Sequence, residues 1–557
     1  MSIDFPEYAP TIPVMIRHLA ERFGDRDLIA LGDRRLSYRE VERESAHLAR
    51  GLLASGVGKG TRVALLMPNG PDWLLAWLAT CRIGALCVPL TTFLRERELL
   101  WNLRHADVHT LLTCDRYLNH DYLARLESAV PELLEQRGEA LFLRGLPYLR
   151  SVRVWGPCER SWASDGPKGL AALADAAPEI GEDFLREVEQ EVTPADPMLI
   201  MYTSGSTAEP KGASHTHGTV VRHSHMLNAY RHGGPDDHVY SPMPFFWVGG
   251  LSGPLMGAMH AGACYFCEDS FDVDRVIDLI ERERITCVAG WPHQSKAIIE
   301  HPRYPKGGFD FIRFGAYPML PESIRPPEND LMPNALGMTE TFANHSMEET
   351  GTVLPEQQRG SFGHAIRGIE RRIVDPETGE EVAPGEWGDL CVRGFSLMQG
   401  LYKLEREQVF TADGFYRTGD ECRIESDGEA DGRGDGHLYL KGRLGEMIKT
   451  GGANVAPREV ELVLESFEEI KEAYVVGIAD PARGETVAAV AVPFAGRSAD
   501  GAELRERLRD ELSAFKVPRH IFIFSSEEIP RTASAKIQKP QLREILTERI
   551  AASMGES

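Results

Sequence analysis

Apolar residues in the first half of the chain recur with two periods, and these periods predict alternating strands and helices. Short apolar runs predict buried strands at 62–67, 85–90 and 110–113. Helical spacing separates these runs at 72–83 and 95–105. Ser37 precedes another helical pattern that runs to Leu53, and a serine at that point is a favourable cap. Strands that alternate with helices predict a parallel sheet covered by helices, the α/β class.

The pattern changes after residue 114. Residues 115–191 lack a clear period, and we interpret them as an insertion with one or two helices. Further strands are predicted at 197–200, 311–313, 388–394, 473–478, 487–493 and 520–524. A hairpin turn is predicted at 374–379, and helices are predicted to begin at Pro457 and to cover 500–512. We therefore predict a large N-terminal α/β region of several subdomains, with sheets flanked by helices, and a small C-terminal α+β domain.

Composition and charge argue against several classes of protein. Of the 557 residues, 42% are hydrophobic and 26% are charged, which is ordinary for a globular protein. With 61 Lys+Arg against 84 Asp+Glu, the net charge of -23 opposes binding to a polynucleotide, so we expect no nucleic-acid partner. The nine cysteines are scattered and odd in number, which argues against a disulfide framework.

The sequence shows no targeting or membrane segment. The first six residues contain neither a basic nor an apolar segment, so we expect no signal peptide. The most apolar long run, 73–90, is interrupted by Arg82 and is too short to span a bilayer. We therefore expect a cytoplasmic protein without an integral membrane segment.

A loop of small, hydroxylated residues follows the predicted strand 197–200. Its sequence is Thr203-Ser204-Gly205-Ser206-Thr207-Ala208-Glu209-Pro210-Lys211-Gly212. Hydroxyl groups, backbone N–H groups left accessible beside glycines, and one lysine charge together suit a polyphosphate. A P-loop is excluded, because that motif needs glycine before its lysine and Ser or Thr after it, whereas Pro210 and Gly212 occupy those places. A plain surface loop rich in Ser and Gly is the alternative.

Three later stretches carry candidate chemistry. In 241–251, aromatic residues stand beside glycines, which suggests a wall over an open space or, alternatively, a core turn. The stretch 334–341 contains Glu340, whose carboxylate is the kind of hard oxygen ligand that Mg²⁺ takes. Asp420 follows Gly419 in a predicted turn. The alternatives are a helix cap at Glu340 and a turn aspartate that caps its own backbone at Asp420.

Three further patterns are similar to metal sites, and we interpret each as structural. Four histidines are close together in the sequence, namely His215, His217, His223 and His225. They lack neighbouring carboxylates, which favours a scaffolding role. Cys264 and Cys267 have redox or zinc spacing, but they lie in an apolar run without a second pair, which favours a core strand. The acidic stretch 427–435 has calcium-loop spacing, but Leu438 occupies the place of the closing glutamate, which favours a solvated hairpin loop. Metal binding is the alternative in each case.

Taken in their order along the chain, the motifs resemble those of the adenylate-forming enzymes. That superfamily comprises the acyl-CoA synthetases, the luciferases and the adenylation domains of peptide synthetases. The motifs that carry the resemblance are 201–212, 241–251, 314–318, 334–341, 416–420, 441–461 and 529–537. The resemblance spans essentially the whole chain, from the Ser37 region to Lys536. It implies the acyl-CoA synthetase branch, with a large adenylation domain at 1–442, a hinge at 443–446 and a small mobile C-terminal domain at 447–557.

The resemblance also implies roles for individual residues. Those expected to bind ATP are Thr203, Ser204, Gly205, Ser206, Thr207, Lys211, Gly315, Ala316, Leu336, Gly337, Met338, Asp420 and Arg443. Those expected to line the acyl-substrate site are Phe246, Trp247, Gly249, Gly315, Tyr317 and Met338. The expected coenzyme A channel includes Lys449, Gly451 and Gly452, and the expected hinge residue is Gly445. The expected catalytic residues are Lys536, Thr339 and Glu340, with Glu340 also binding Mg²⁺.

Several positions depart from the family pattern. Ala208 and Ala535 stand where glycine is usual, and Leu336 replaces an aromatic residue that stacks on adenine. Histidine is frequent at the position of Trp247, and the broad indole there favours a bulky or long hydrophobic acid over acetate. Gly445 stands where Lys or Asp is common, and glycine suits a residue that changes its backbone angles between states.

The activity that the resemblance implies is that of an ATP-dependent acid–CoA ligase, an enzyme that forms carbon–sulfur bonds. It would convert a hydrophobic carboxylic acid (medium- or long-chain fatty, aryl or alicyclic) through an acyl-adenylate into its CoA thioester, releasing AMP and pyrophosphate. ATP, Mg²⁺ and coenzyme A are the expected cofactors and co-substrates. The alternatives are transfer of the acyl group to a carrier protein or an amine, a luciferase-like oxygenation, and a degenerate regulator that binds nucleotide without catalysis. Whether the chain forms a homodimer is left open.

Overall fold

An eight-stranded sheet is the framework of the N-terminal region. The structure, a computed structural model, describes residues 5–138, 140–203, 210–426, 436–443, 447–494, 496–531 and 537–555. The strands of this sheet, in spatial order, are Gly400–Leu401, Lys211–Thr216, Pro197–Thr203, Leu86–Pro89, Arg62–Leu66, Thr110–Cys114, Ser151–Trp155 and Ser164–Asp165. From the third strand of this list to the eighth, all neighbours run parallel. The predicted parallel sheet is therefore confirmed.

The antiparallel hairpin in this sheet fixes the two ends of the hydroxyl-rich loop. Lys211–Thr216 pairs with Pro197–Thr203, and Thr203 lies opposite Lys211. The loop residues 204–209 lie outside the described part of the chain. Because Thr203 and Lys211 are the last pair of this hairpin, the residues that flank the loop lie at the same end of the two strands.

A five-stranded sheet and one buried helix complete the main core. The strands, in spatial order, are Cys287–Val288, His238–Tyr240, Cys264–Cys267, Asp27–Leu31 and Arg34–Ser37. The helix Pro71–Arg82 shares one hydrophobic core with both sheets and is buried from Trp73 onward. Arg82 is tolerated there because its guanidinium donates to Glu189 Oε1 at 2.5 Å and to Glu42 Oε1 at 2.7 Å. The most apolar long run, 73–90, thus consists of a core helix that ends in a paired charge and, after it, the strand Leu86–Pro89.

Two local signals in this core are confirmed. The Ser37 hydroxyl accepts from the Glu40 N–H, and the Glu40 carboxylate accepts from the Ser37 N–H at 2.8 Å, so the helix Tyr38–Ala54 begins with a capping box. Cys264–Cys267 is a fully buried strand, and burial raises the pKa of the Cys264 thiol to about 12. The core-strand interpretation of this cysteine pair is correct.

An antiparallel sheet and a short hairpin form the end of the N-terminal region. The sheet strands, in spatial order, are Ile369–Val374, Gly388–Gly394, Tyr416–Glu425 and His437–Arg443. The hairpin pairs Leu336–Met338 with Ala343–Ser346. Cross-strand pairing brings Arg443 opposite Asp420. The acidic stretch 427–435, predicted to be a solvated hairpin loop, lies outside the described residues.

The C-terminal domain is built on a sheet of its own. Ala453–Val455, Ile448–Thr450, Gly484–Pro493 and Ile470–Asp480 follow one another in space, and His520–Ile523 pairs in parallel with Gly484–Pro493. Its helices are Pro457–Glu465, Gly501–Glu511 and Lys539–Gly555. The predicted α+β domain is confirmed, as are its strands near 473–478, 487–493 and 520–524.

The remaining elements surround these sheets. The other α-helices are Ile12–Phe23, Glu96–His105, Tyr122–Ala129, Pro167–Ala176, Glu182–Gln190, His217–Arg231, Val248–Gly250, Gly257–Ala261, Val273–Glu283 and Pro292–Ile299, with a π-helical turn at Leu251–Met256 and a two-stranded ribbon of Arg116–Tyr117 and His120–Asp121. Within the described ranges, no helix combines the length and the apolar composition that crossing a membrane requires.

Two predictions about secondary structure are wrong. The described residues of the insertion at 115–191 form three α-helices and a 3-10 helix rather than one or two helices, and its strand Ser151–Trp155 joins the main sheet beside Thr110–Cys114. The predicted strand 311–313 does not form, and only Phe314 makes an isolated bridge, to Cys287. The neighbouring strand Cys287–Val288 is two residues long, so it offers no length for a longer ladder.

Candidate active site

A strained hairpin turn presents the residues Thr339 and Glu340. The strand Leu336–Met338 leads into a single 3-10 turn, and the chain returns through Phe342 and Ala343 with φ angles of 48° and 104°. Such angles are costly for residues other than glycine and persist only where the surroundings impose them. Gly337 is required in the first strand, because a Cβ there would overlap the backbone of Ala343. The close pairing therefore fixes the direction in which the turn points.

Two buried histidines hold this hairpin through hydrogen bonds to its backbone. His215 Nε2 donates to the Thr339 carbonyl at 2.8 Å, and His223 Nε2 donates to the Asn344 carbonyl at 2.8 Å. Burial lowers the pKa of His215 to about 4 and that of His223 to about 3, so both rings are neutral donors at pH 7. The scaffolding interpretation of these two histidines is confirmed.

The Glu340 carboxylate lies between the hairpin and the antiparallel sheet. Its side chain is buried, and Oε1 accepts from the Tyr416 hydroxyl at 3.3 Å. The Glu340 carbonyl accepts from the Met398 N–H at 2.7 Å. Backbone and side chain are thus both fixed, which suits a carboxylate that must hold one position.

Asp420 is positioned by a carboxylate that sequence reasoning missed. Asp389 is buried, and it accepts from Arg417 Nε at 2.7 Å and from the Gly419 N–H at 2.9 Å. Gly419 has a φ of +73°, and the Asp420 N–H donates to Thr418 Oγ1 at 3.0 Å. Asp389 thereby fixes the turn that directs Asp420. Its only signal in the sequence is its place next to Gly388 in a predicted strand.

One cavity of about 920 Å³ collects most of the predicted residues. The predicted residues that line it are Thr203, Lys211, Phe246, Trp247, Gly249, Leu336, Gly337, Met338, Thr339, Glu340, Asp420, Lys449 and Gly452. They come from the eight-stranded sheet, the antiparallel sheet, the segment that follows the strand His238–Tyr240, the hairpin and the C-terminal domain. Segments far apart in the sequence therefore converge on one space.

A second cavity of about 580 Å³ adjoins the first. It is lined by Gly315 and Ala316, and it shares Gly249, Gly337 and Met338 with the larger cavity. The shared residues form the passage between the two. The volume is in the range typical of sites for small organic ligands.

Some predicted residues lie elsewhere or outside the described chain. Tyr317 lines neither cavity; its hydroxyl donates to the Pro327 carbonyl at 3.3 Å. Gly451 also lines neither. Of Arg443, the structure describes the backbone alone. The predicted residues outside the described ranges are Ser204, Gly205, Ser206, Thr207, Gly445 and Lys536.

An aromatic wall closes the larger cavity where the C-terminal domain meets the N-terminal region. The Trp247 ring lies 5.5 Å from Trp291 and 6.2 Å from Phe515 of the C-terminal domain. Gly452 presses against Trp291 so closely that a Cβ would overlap the indole. The sequence analysis missed Trp291 and Phe515, because neither lies in a motif that carries the resemblance.

A buried lysine joins the two parts of the molecule beside this wall. Lys516 Nζ donates to Glu98 Oε1 at 2.6 Å and to Glu459 Oε1 at 2.7 Å. All three side chains are 5–6% exposed. Burial disfavours the ammonium charge, but the attraction of the two carboxylates outweighs it and raises the pKa of Lys516. Glu98 belongs to the N-terminal region and Glu459 to the C-terminal domain, so the contact fixes their relative placement.

Comparison with known families decides the affiliation of the chain. The model of a family described as AMP-binding enzyme matches residues 16–402, and that of the AMP-binding enzyme C-terminal domain matches residues 459–536. The chain belongs to the AMP-binding enzyme family. The resemblance predicted from the motifs is thereby confirmed.

Relatives of this AMP-binding enzyme match along nearly their whole length. The putative acyl-CoA synthetase YngI of Bacillus subtilis (strain 168) is 29% identical over 556 residues, which cover 96% of this chain and 96% of that protein. Indoleacetate–CoA ligase of Aromatoleum aromaticum is 31% identical over 543 residues, 95% of each chain. The structure of ATP-bound MatB from Rhodopseudomonas palustris is 26% identical with a TM-score of 0.62, covering 97% of this chain and 99% of that one. The predicted fold class is confirmed.

Proposed function

We propose that this AMP-binding enzyme is an acid–CoA ligase that activates a hydrophobic carboxylic acid with ATP. The observation that carries the proposal is the larger cavity, where Thr203, Lys211 and Glu340 meet Asp420 and the Gly452 side of the C-terminal domain. A two-step ligase needs three things: a place to bind polyphosphate, here beside Thr203 and Lys211, a carboxylate suited to a metal, and a surface contributed by a second domain. The similarity to acyl-CoA synthetases and ligases supports the same activity.

In the first step, the carboxylate of the acid attacks the α-phosphate of ATP. One oxygen of the carboxylate forms a bond to the α-phosphorus. The bond between the α-phosphorus and the oxygen that bridges it to the β-phosphate breaks, and pyrophosphate leaves. The loop ending at Lys211 would bind the pyrophosphate end, Thr339 would donate to an α-phosphate oxygen, and Asp420 would bind the ribose hydroxyls. Nothing covalent to the enzyme is required, so catalysis consists of positioning and of stabilising charge on phosphate oxygens.

Glu340 is the residue that would hold Mg²⁺. Its carboxylate is buried, fixed at backbone and side chain, and placed in the cavity with Thr203 and Lys211. Mg²⁺ usually binds through one or two carboxylates together with substrate phosphates, which agrees with a single carboxylate at this point. When bound, the ion would neutralise charge on the phosphate oxygens.

In the second step, the thiolate of coenzyme A attacks the acyl carbon of the adenylate. A carbon–sulfur bond forms, the bond between the acyl carbon and the phosphate oxygen breaks, and AMP leaves. The described arrangement suits this step, because Lys449 and Gly452 of the C-terminal domain line the cavity beside Trp247. We propose that the C-terminal domain turns about Gly445 between the steps, and that Lys536 acts in the first step only.

Pyrophosphate release with a panel of acids tests the proposal. With ATP and Mg²⁺, a suitable acid should release pyrophosphate with or without coenzyme A, whereas a thioester should form only with coenzyme A. Amide formation or loading of a carrier protein would favour the alternative acceptors. Failure of every acid to release pyrophosphate, in a protein that still binds ATP, would establish the non-catalytic regulator instead.

Glu340→Gln should slow adenylation and raise the Mg²⁺ concentration needed for half-maximal rate. Removing the charge should cost on the order of 10–100-fold, the scale seen when the surroundings of a bound metal are altered. Pyrophosphate release measured across a Mg²⁺ titration gives both quantities. The control is Glu349→Gln, which makes the same change at a partly exposed carboxylate that pairs with His232 and lines neither cavity. An unchanged Mg²⁺ dependence in Glu340→Gln would refute the assignment.

Gly452→Ala should impair thioester formation more than adenylation. The φ of Gly452 is +84°, and a Cβ there would overlap Trp291. The left-handed conformation alone costs roughly 1–2 kcal/mol for a residue with a side chain, so we expect the second step to slow about tenfold. Thioester formation from pre-made acyl-adenylate measures it. Gly442→Ala, where a Cβ meets open space, is the control and should match the wild type.

The domain limits 1–442, 443–446 and 447–557, a cytoplasmic location and the absence of a nucleic-acid partner stay predictions, and a homodimer stays an open alternative.

A further inference from the structure

The smaller cavity is built to hold a sizeable apolar group. Its walls are rich in glycine and alanine, including Gly253, Gly257, Ala258, Ala261 and Ala263, whose short side chains leave the space open. It opens towards the larger cavity at Gly249, Gly337 and Met338. On the proposed function, the reacting carboxylate lies at this passage beside Thr339, and the rest of the acid extends into the smaller cavity.

A guanidinium group, that of Arg231, stands among these small residues. Arg231, the last residue of the helix His217–Arg231, lines the smaller cavity but not the larger one. Its Nη1 is buried and bonds to nothing in the described part of the chain, and its Nη2 makes one long contact, 3.4 Å, to Asn344 Oδ1. Gly253 makes room for it, since a Cβ there would overlap the guanidinium.

The carboxylate that lines the same cavity is fully engaged by another arginine. Asp237 accepts from Arg313 Nε at 2.5 Å and also from Arg313 Nη2. It further accepts from the Gly234 N–H and from Thr286 Oγ1, both at 2.9 Å. Arg313 is therefore neutralised by a two-point ion pair, and Asp237 has no capacity left for Arg231.

Among the described residues, the guanidinium of Arg231 with its buried Nη1 consequently has no counter-ion. Burial lowers its pKa to about 10, so the guanidinium is still protonated at pH 7. A buried charge without a partner is costly, and an anion that enters the cavity would relieve the cost. The fork of an arginine matches the two oxygens of a carboxylate, to which it can donate two parallel hydrogen bonds.

We propose that the acid activated by this enzyme carries a second carboxylate, remote from the reacting one, that binds Arg231. The inference rests on the proposed function and specifies the substrate class as an apolar body with an anionic far end. Arg231 is a specificity-determining residue in this scheme. It contacts the substrate away from the reacting atoms, so its loss should change the choice of acid more than the rate with an acid that lacks the second charge.

The test compares two acids of equal chain length, a straight-chain monocarboxylic acid and the α,ω-dicarboxylic acid, over a series of lengths. The readout is kcat/KM for pyrophosphate release. Wild type should favour the dicarboxylic acid at the best length by about tenfold or more, since a site with a buried polar group discriminates strongly against a ligand that leaves it unpaired. Arg231→Met should abolish or reverse this ratio, and Arg231→Lys should give an intermediate value.

Gly253→Ala supplies an independent variant. It keeps the Arg231 side chain but must displace its guanidinium, because a Cβ at Gly253 would overlap it, so the variant should lower the same ratio. The shift of the melting temperature by ATP shows that each variant is folded. The proposal is overturned if wild type prefers the monocarboxylic acid at every length, or if Arg231→Met leaves the ratio unchanged.

Failure of the proposed function gives a different result. If no acid releases pyrophosphate, but a dicarboxylic acid raises the melting temperature of wild type and not that of Arg231→Met, the Arg231 site stands and the ligase activity does not. If neither acid class releases pyrophosphate or changes the melting temperature, both proposals are refuted.

Discussion

Lys536→Ala is expected to slow acyl-adenylate formation roughly 10²–10³-fold, the effect of removing one electrostatic donor from a transition state. Thioester formation from pre-made acyl-adenylate should be spared. The reason is that the lysine would stabilise charge at the α-phosphate during the first step and would be withdrawn before the second. Pyrophosphate release measures the first step, and CoA consumption with synthetic adenylate measures the second.

The control for this variant is another lysine of the C-terminal domain. Lys471 is about half exposed, and among the described residues it pairs with its neighbour Glu472 alone, at 2.9 Å, so Lys471→Ala should leave both half-reactions unchanged. Lys536 itself lies outside the described residues, and its assignment rests on the resemblance and on a family match that ends at residue 536. Equal impairment of both half-reactions in Lys536→Ala would show that the lysine does not act in the first half-reaction alone.

Local signals allowed most of the fold to be predicted. The capping box at Ser37 involves residues three apart, and the strand at 62–66 is an unbroken apolar run. Such features depend on neighbours in the sequence, which is why periodicity reveals them. The strand Ser151–Trp155 was missed because it is defined by pairing with Thr110–Cys114, some distance away along the chain. Its own sequence alternates polar and apolar residues only over 151–154, a signal too short to set it apart from the irregular stretch around it.

The site was predicted where its residues belong to compact motifs. Thr339, Glu340 and Asp420 were recognised from stretches of a few residues, and all three line the larger cavity. Asp389 and Arg231 were missed for a common reason. Asp389 acts through the turn of another strand, and Arg231 matters because no carboxylate of the described chain reaches it. Both facts arise only when remote elements pack together.

Lys516 shows the same limit most clearly. In the sequence it follows Phe515 in a stretch that resembles an exposed turn, where a lysine is normally solvated. In the structure it contacts Glu98, a residue 418 positions away. A charge that pairs across two domains leaves no trace in local sequence, because the surrounding residues give no sign of burial.

Lys516→Met is therefore expected to give the opposite result to Lys536→Ala. Loss of the ammonium removes the charge that pairs with the buried carboxylates of Glu98 and Glu459, and breaking a buried pair in this way typically costs about 3–5 kcal/mol. The variant should destabilise the arrangement of the two domains described here, because Glu98 lies in the N-terminal region and is buried against the C-terminal domain. Thioester formation from pre-made acyl-adenylate should fall by roughly 10²-fold or more. Adenylation, which we propose to use another arrangement, should change much less.

The double variant Glu98→Leu/Lys516→Met separates the loss of a contact from the burial of a charge. It removes the carboxylate on the N-terminal side together with its partner, so it should recover part of the second half-reaction relative to Lys516→Met alone. Lys516 and Glu459 belong to the same domain and move together, whereas Glu98 does not, so the coupling of Lys516 with Glu98 reports the docking of the two domains. If Lys516→Met slowed both half-reactions equally, the contact would stabilise the fold without selecting an arrangement. If it slowed adenylation alone, the arrangement described here would belong to the first step, and the order of the two conformations would have to be reversed.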